Sequence, residues 1–126
     1  MEEKVGKKIL IIENDSELVL GLSTLLKSQG YVTIAAYDSL FGISLAHKEN
    51  PDLIILDLGL PAGGGFYVLK NLKDSTETQG IPVLILTGQQ GGDLEEKAME
   101  MGAVGYLHKP FDPPELLGQI KGILDK

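Results

Sequence analysis

The sequence predicts an α/β fold: a five-stranded parallel sheet with helices on both faces. Three observations carry this prediction. Unbroken apolar runs stand at Ile9-Leu10-Ile11-Ile12, Leu53-Ile54-Ile55-Leu56 and Val83-Leu84-Ile85-Leu86. Runs with no polar alternation suit strands buried on both sides, as in a parallel sheet covered by helices. Segments with apolar residues at helical spacing separate the runs, and such alternation implies right-handed crossovers. Finally, each run closes on a polar residue (Glu13, Asp57 and Thr87 respectively), and open α/β sheets bind ligands at the C-terminal ends of their strands.

The elements follow in order. Ile9–Ile12 is the first strand. Leu18, Leu22, Leu25 and Leu26 recur at helical spacing, so a helix begins near Asp15 or Ser16 and stops at Gly30. Tyr31–Ala36 is the second strand. Asp38 or Ser39 caps a helix through about Glu49, with Leu40, Ile43 and Ala46 on its inner side. Asn50-Pro51-Asp52 breaks the chain before the third strand. Ala62-Gly63-Gly64-Gly65 is a flexible connection into a helix marked by Phe66, Leu69 and Leu72. Gly80-Ile81-Pro82 precedes the fourth strand, and Gly91-Gly92 loosen the loop after it. Leu94, Ala98 and Met101 mark the fourth helix, with Gly102 as its stop. Val104–Leu107 is the fifth strand. Asp112 caps the last helix, Pro113 suits its first position, and Leu116, Leu117, Ile120, Ile123 and Leu124 form its apolar stripe.

With 126 residues the chain has room for one domain with one core, residues 1–126. Its net charge of −7 argues against direct nucleic-acid or anionic-membrane binding. It has no cysteine, hence no disulfide framework and no thiolate chemistry. Met1-Glu2-Glu3-Lys4 is polar and short rather than a signal peptide. No apolar run approaches the roughly 18 residues of a membrane span. The expected location is the cytoplasm.

In a parallel sheet all strands end on one edge. The first strand delivers Glu13, Asn14 and Asp15 there, the third Asp57, the fourth Thr87 and the fifth Lys109. Carboxylates, a hydroxyl and an ammonium suit a hard cation such as Mg²⁺ beside a phosphoryl group, whose oxygens need neutralising during transfer. Asp57 is the candidate nucleophile. Its bland alternative is a helix cap, and each of the other residues alone reads as a cap or a surface side chain. His47 and His108 have no metal-ligand spacing and read as incidental.

Four stretches carry a resemblance: Ile11-Ile12-Glu13-Asn14-Asp15, Asp57-Leu58-Gly59-Leu60-Pro61 with Gly65 behind it, Leu86-Thr87-Gly88, and Tyr106-Leu107-His108-Lys109-Pro110-Phe111. In this order and spacing the chain resembles the receiver domain of two-component response regulators. The resemblance implies a flavodoxin-like strand order, 2-1-3-4-5. It implies that Asp57 accepts a phosphoryl group from a sensor histidine kinase or histidine phosphotransfer protein. It implies Mg²⁺ held by Glu13, Asn14, Asp57 and the backbone carbonyl of Gly59. Thr87 and Lys109 would contact the phosphoryl oxygens, and Tyr106 would follow Thr87. The fourth helix, fifth strand and fifth helix would be the output face for a downstream effector protein or domain. The Lys109-Pro110 bond is often cis in such domains. The resemblance further implies that Gly59 and Gln89, near the site, bear on phosphoryl lifetime.

One position departs from the family pattern. The first strand usually ends in two acidic residues, and here the second is the neutral Asn14. One unit-charge pair at ~4 Å is worth about 4 kcal/mol at an effective dielectric of 20, partly offset by the desolvation that a carboxylate would cost. Mg²⁺ is therefore expected to bind roughly tenfold to a hundredfold more weakly than in a two-acid receiver. Gly64 also stands where an acid is common. The leading expectation is a phosphorylation-controlled switch that catalyses only its own phosphorylation and dephosphorylation. Asn14 motivates an alternative, a degenerate receiver acting as an interaction module. An aspartyl phosphatase ranks low, because Gly59 stands where its second Asp would be, and a nucleotide-binding flavodoxin-like protein is a further alternative, although the first loop lacks a glycine fingerprint.

Overall fold

The computed structural model describes residues 6–125, so the polar start at Met1–Lys4 lies outside the described residues. Strands β1 (Lys8–Ile12), β2 (Val32–Ala36), β3 (Leu53–Leu56), β4 (Val83–Thr87) and β5 (Gly105–His108) alternate with helices α1 (Ser16–Ser28), α2 (Ser39–Glu49), α3 (Gly64–Asp74), α4 (Leu94–Glu100) and α5 (Pro113–Leu124). All strand pairs are parallel, and the sheet order is β2-β1-β3-β4-β5. This is the flavodoxin-like order that the resemblance implies.

Side chains alternate across each strand, so the apolar runs fill two cores at once. Ile9, Ile11, Leu53, Ile55, Leu84 and Leu86 face α1 and α5, where Leu22, Leu26, Leu116 and Ile120 meet them. Leu10, Ile12, Ile54, Leu56, Val83 and Ile85 face the other way, onto α2, α3 and α4 through Ala46, Leu69, Leu72 and Ala98. Three helices start on aspartates: Asp15, Asp38 and Asp112 each accept a backbone N–H of the first turn. Such caps are worth about 1 kcal/mol each.

Several local expectations need correction. Leu40 does not point inward; it is 61% exposed, and Ser39, Gly42 and Ala46 form the buried side of α2. A glycine and a serine at these spacings carry little hydrophobic signal, so periodicity favours Leu40 instead. β5 begins at Gly105 rather than Val104, which is 48% exposed. Gly64 and Gly65 belong to the first turn of α3, and Gly65 is buried. The Lys109-Pro110 peptide, by contrast, is cis as the resemblance implies.

Candidate functional site

Register delivers the polar residues to one rim. Ile12 pairs with Leu56, so Glu13 and Asp57 leave β1 and β3 side by side, with the Asp57 N–H donating to the Ile12 carbonyl at 3.0 Å. Thr87 pairs with His108, and the Lys109 N–H donates to the Thr87 carbonyl at 2.9 Å. Four strands thus bring their ends together.

The carboxylates of this rim are buried: Glu13 is 3% and Asp57 6% exposed. Burying charge costs unless it is paired. Lys109 does the pairing. Its Nζ lies 2.7 Å from Glu13 Oε1 and 3.7 Å from Asp57 Oδ2. The other Glu13 oxygen, Oε2, accepts the Asp15 N–H at 3.0 Å. Thr87 is fully buried, and its Oγ1 accepts the Gln89 N–H at 3.2 Å, leaving its own proton to donate. A side chain at position 59 would meet Asp57 Oδ2 at 3.6 Å and the Gln89 amide nitrogen at 3.3 Å, so Gly59 and Gln89 border the same recess.

Two carboxylates and one ammonium leave the recess with a net negative charge, and its donors are hard oxygens. That set fits a small hard cation that keeps several waters. The protein's share is thin: among the described residues no three His, Cys, Asp or Glu side chains converge for a metal. Asn14 is exposed at the rim. Asp15 adds no third acid, because its Oδ1 accepts the Glu17 and Leu18 N–H groups as the α1 cap. Asp57 caps nothing in α3, which begins on Gly63 without a side-chain cap; the bland reading of Asp57 fails.

Tyr106 lies on β5, half-buried, with its ring edge-on to His108 at 5.4 Å between centroids. Burial, and then the nearby Glu95, push its phenol above the ordinary tyrosine range. His47 Nδ1, on α2, pairs with Glu77 Oε1 beyond the end of α3 at 2.9 Å.

Sequence reasoning misses one contributor. Ser39 is fully buried, and its hydroxyl reaches the loop after Asp57. Beside Asp38 it looks like one of two interchangeable caps, and only tertiary contact separates their roles.

Comparison with known proteins places the chain in a family. The family model for the response regulator receiver domain matches residues 9–121. The probable transcriptional regulator ycf29 of Pyropia yezoensis is 37% identical over 93% of this chain and 53% of its own length. The phosphate regulon transcriptional regulatory protein PhoB of Escherichia coli is 32% identical over 95% of this chain and 52% of its own. The chain therefore spans about half the length of these curated relatives. The crystal structure of the chemotaxis protein CheY4 of Vibrio cholerae superposes with a TM-score of 0.87 at 27% identity, covering 96% of this chain and 100% of that one. Because the family match runs from β1 into α5 and touches every strand and helix between, the chain belongs to the response regulator receiver domain family.

Proposed function

We propose that residues 1–126 form a single receiver domain that works as a phosphorylation-controlled signalling switch, with Asp57 as the phosphoacceptor. The position of Lys109 Nζ, shared between Glu13 and Asp57, carries this reading. An Asp57 oxygen forms the new P–O bond as the P–N bond to a donor histidine breaks, and the imidazole keeps that electron pair. The donor is a sensor histidine kinase or a histidine phosphotransfer protein. Lys109 neutralises one phosphoryl oxygen and the Thr87 hydroxyl donates to another, fixed charges and dipoles aimed where negative charge gathers. Glu13, Asn14, Asp57 and the Gly59 carbonyl would hold Mg²⁺, which when bound supplies the remaining positive charge.

The Thr87 hydroxyl turns its free proton toward a phosphoryl oxygen while Oγ1 still accepts the Gln89 N–H, and Tyr106 two strand positions from the rim follows it. The face of α4, β5 and α5 then shifts between two packings, as charge-driven switches do. That face would be read by a downstream effector protein or domain. Catalysis beyond its own phosphorylation and dephosphorylation is not part of the reading, nor is direct contact with nucleic acid or membrane. No described helix is long and apolar enough to cross a membrane, and a cytoplasmic setting goes with the kinase partner.

The thin acid set around Asn14 favours a second reading, an interaction module that is seldom phosphorylated. One experiment decides. The chain is incubated with Mg²⁺ and a small phosphodonor and weighed intact. The switch predicts a stoichiometric, acid-stable and base-labile gain of one phosphoryl group that disappears in Asp57→Ala. No gain supports the interaction module, and release of phosphate over many turnovers would mean a phosphatase.

A further inference from the structure

We propose that Ser39, the first residue of α2, is a positioning residue for this site, acting through the loop that carries Gly59; the proposal rests on the reading of Asp57 above. The Ser39 hydroxyl lies 3.0 Å from the Pro61 carbonyl oxygen and 3.2 Å from that of Gly64. Its backbone N–H donates to the same Pro61 carbonyl at 3.3 Å. One hydroxyl proton is shared between two acceptors, and both belong to the segment between Gly59 and the start of α3. These are tertiary ties, not helix capping. The cap of α2 is Asp38, whose Oδ1 accepts the Phe41 N–H at 2.8 Å. Nothing in α2 itself calls for a hydroxyl at position 39.

The loop does call for one. Three successive residues stand in the left-handed region, Ala62 at φ 63°, Gly63 at 107° and Gly64 at 81°. For an alanine that conformation is strained and persists only where the surroundings hold it. The far end of the loop is already fixed. The Gly65 N–H donates to the Leu58 carbonyl at 2.9 Å, and a Cβ at Gly65 would lie 2.4 Å from the Asp57 carbonyl oxygen. Ser39 adds the second anchor, at Pro61 and Gly64. Between the anchors, Gly59 has no side chain of its own to lock it. Ser39 thereby sets where the Gly59 backbone stands relative to Asp57.

The test compares Ser39→Ala with Asp38→Ala in the full chain. The first removes the hydroxyl and little volume; the second weakens α2 and leaves the loop ties in place. Mg²⁺ affinity is read by calorimetry, and hydrogen exchange of the Gly65 amide is read without metal. Ser39→Ala is expected to weaken Mg²⁺ by about three- to tenfold, the size of one ordinary net hydrogen bond, and to speed Gly65 exchange. Asp57 is still labelled in full at saturating Mg²⁺. Asp38→Ala is expected to leave both readouts within about twofold of the parent. Equal losses in the two variants, or an unchanged Mg²⁺ affinity in Ser39→Ala, overturn the proposal. If the parent chain neither binds Mg²⁺ nor labels at Asp57, the reading of the site has failed instead, and unchanged Gly65 exchange in Ser39→Ala would then overturn the loop anchor as well.

Discussion

The loop after β3 and the loop after β4 border the same recess, and both are rich in glycine: Gly59, Gly63, Gly64 and Gly65 around the first, Gly88, Gly91 and Gly92 in the second. Their physics differs. The first is tied down by Ser39, by the Gly65 N–H and by direct contact of Gly65 with the Asp57 peptide. The second is exposed throughout, and nothing lies within 4 Å of where a Gly92 side chain would begin. α4 beyond it has seven residues, no side-chain cap, and a Leu94 N–H that reaches Gly91 only at 3.5 Å. One rim of the recess is packed around the acids; the other is held to the sheet through the Gln89 N–H on Thr87 Oγ1. Glycine in the first rim permits close approach; at Gly88 and Gly92 in the second no close contact calls for it.

Lys109 joins the two rims, so its loss should break the comparison most severely. Lys109→Ala leaves Glu13 and Asp57 buried together without their shared cation. Rates of Asp57 labelling should fall by about 10²–10³, the usual cost of one preorganised charge-stabilising donor. Stopped-flow or quenched labelling reads this directly, and a rate within tenfold of the parent would remove Lys109 from the site.

The glycines themselves sharpen it next. Gly65→Ala drives a Cβ to 2.4 Å from the Asp57 carbonyl oxygen and 2.5 Å from Leu58 Cα. Backbone has to move, at a cost of about 3 kcal/mol, the upper end for overpacking. Gly88→Ala meets only the Lys109 side chain at 3.8 Å, an ordinary contact. Its stability in urea should stay within about 0.5 kcal/mol of the parent. Similar losses in the two variants would erase the distinction between the rims.

Asn14→Asp puts a second acid after β1, at the exposed edge of the recess. Mg²⁺ affinity should rise by roughly tenfold to a hundredfold, about 1.4 kcal/mol per tenfold. An unchanged affinity would mean that the ion does not sense this position.

The smallest effect lies on the looser side. The Tyr106 phenol is raised first by burial and then by Glu95. The folded chain therefore keeps this proton at a pH where the unfolded chain loses it. The stability this confers is complete below the unfolded value of about 10 and fades as pH rises through the folded midpoint. Ring resonances of Tyr106 should titrate above the ordinary range, and Glu95→Gln should bring the midpoint down by the lesser part of the shift.

Much of this molecule is legible in its amino-acid order. The apolar runs mark the sheet, because strands buried on both sides have no polar alternation to hide them. Asp15, Asp38 and Asp112 announce three helix starts, since a cap is a local interaction. Glu13, Asp57, Thr87 and Lys109 stand out as strand ends, because parallel topology alone sends such ends to one edge. What stays hidden depends on distance through space. Gly65 reads as a loose connection because its Cβ conflict is with a peptide on another element. Ser39 reads as a spare cap because its acceptors lie 22 and 25 residues away. Leu40 reads as core because α2 buries Ser39 and Gly42, where a hydrophobic pattern leaves no mark.

Hydrogen exchange resolved to single amides, on the chain with and without a phosphoryl group on Asp57, tests the contrast between the rims most directly. Labelled protein should show unchanged protection at Leu58 and Gly65 and altered protection at residues 88–93. Altered exchange in the first loop with an unchanged second loop, on protein whose Asp57 is fully labelled, would contradict the account.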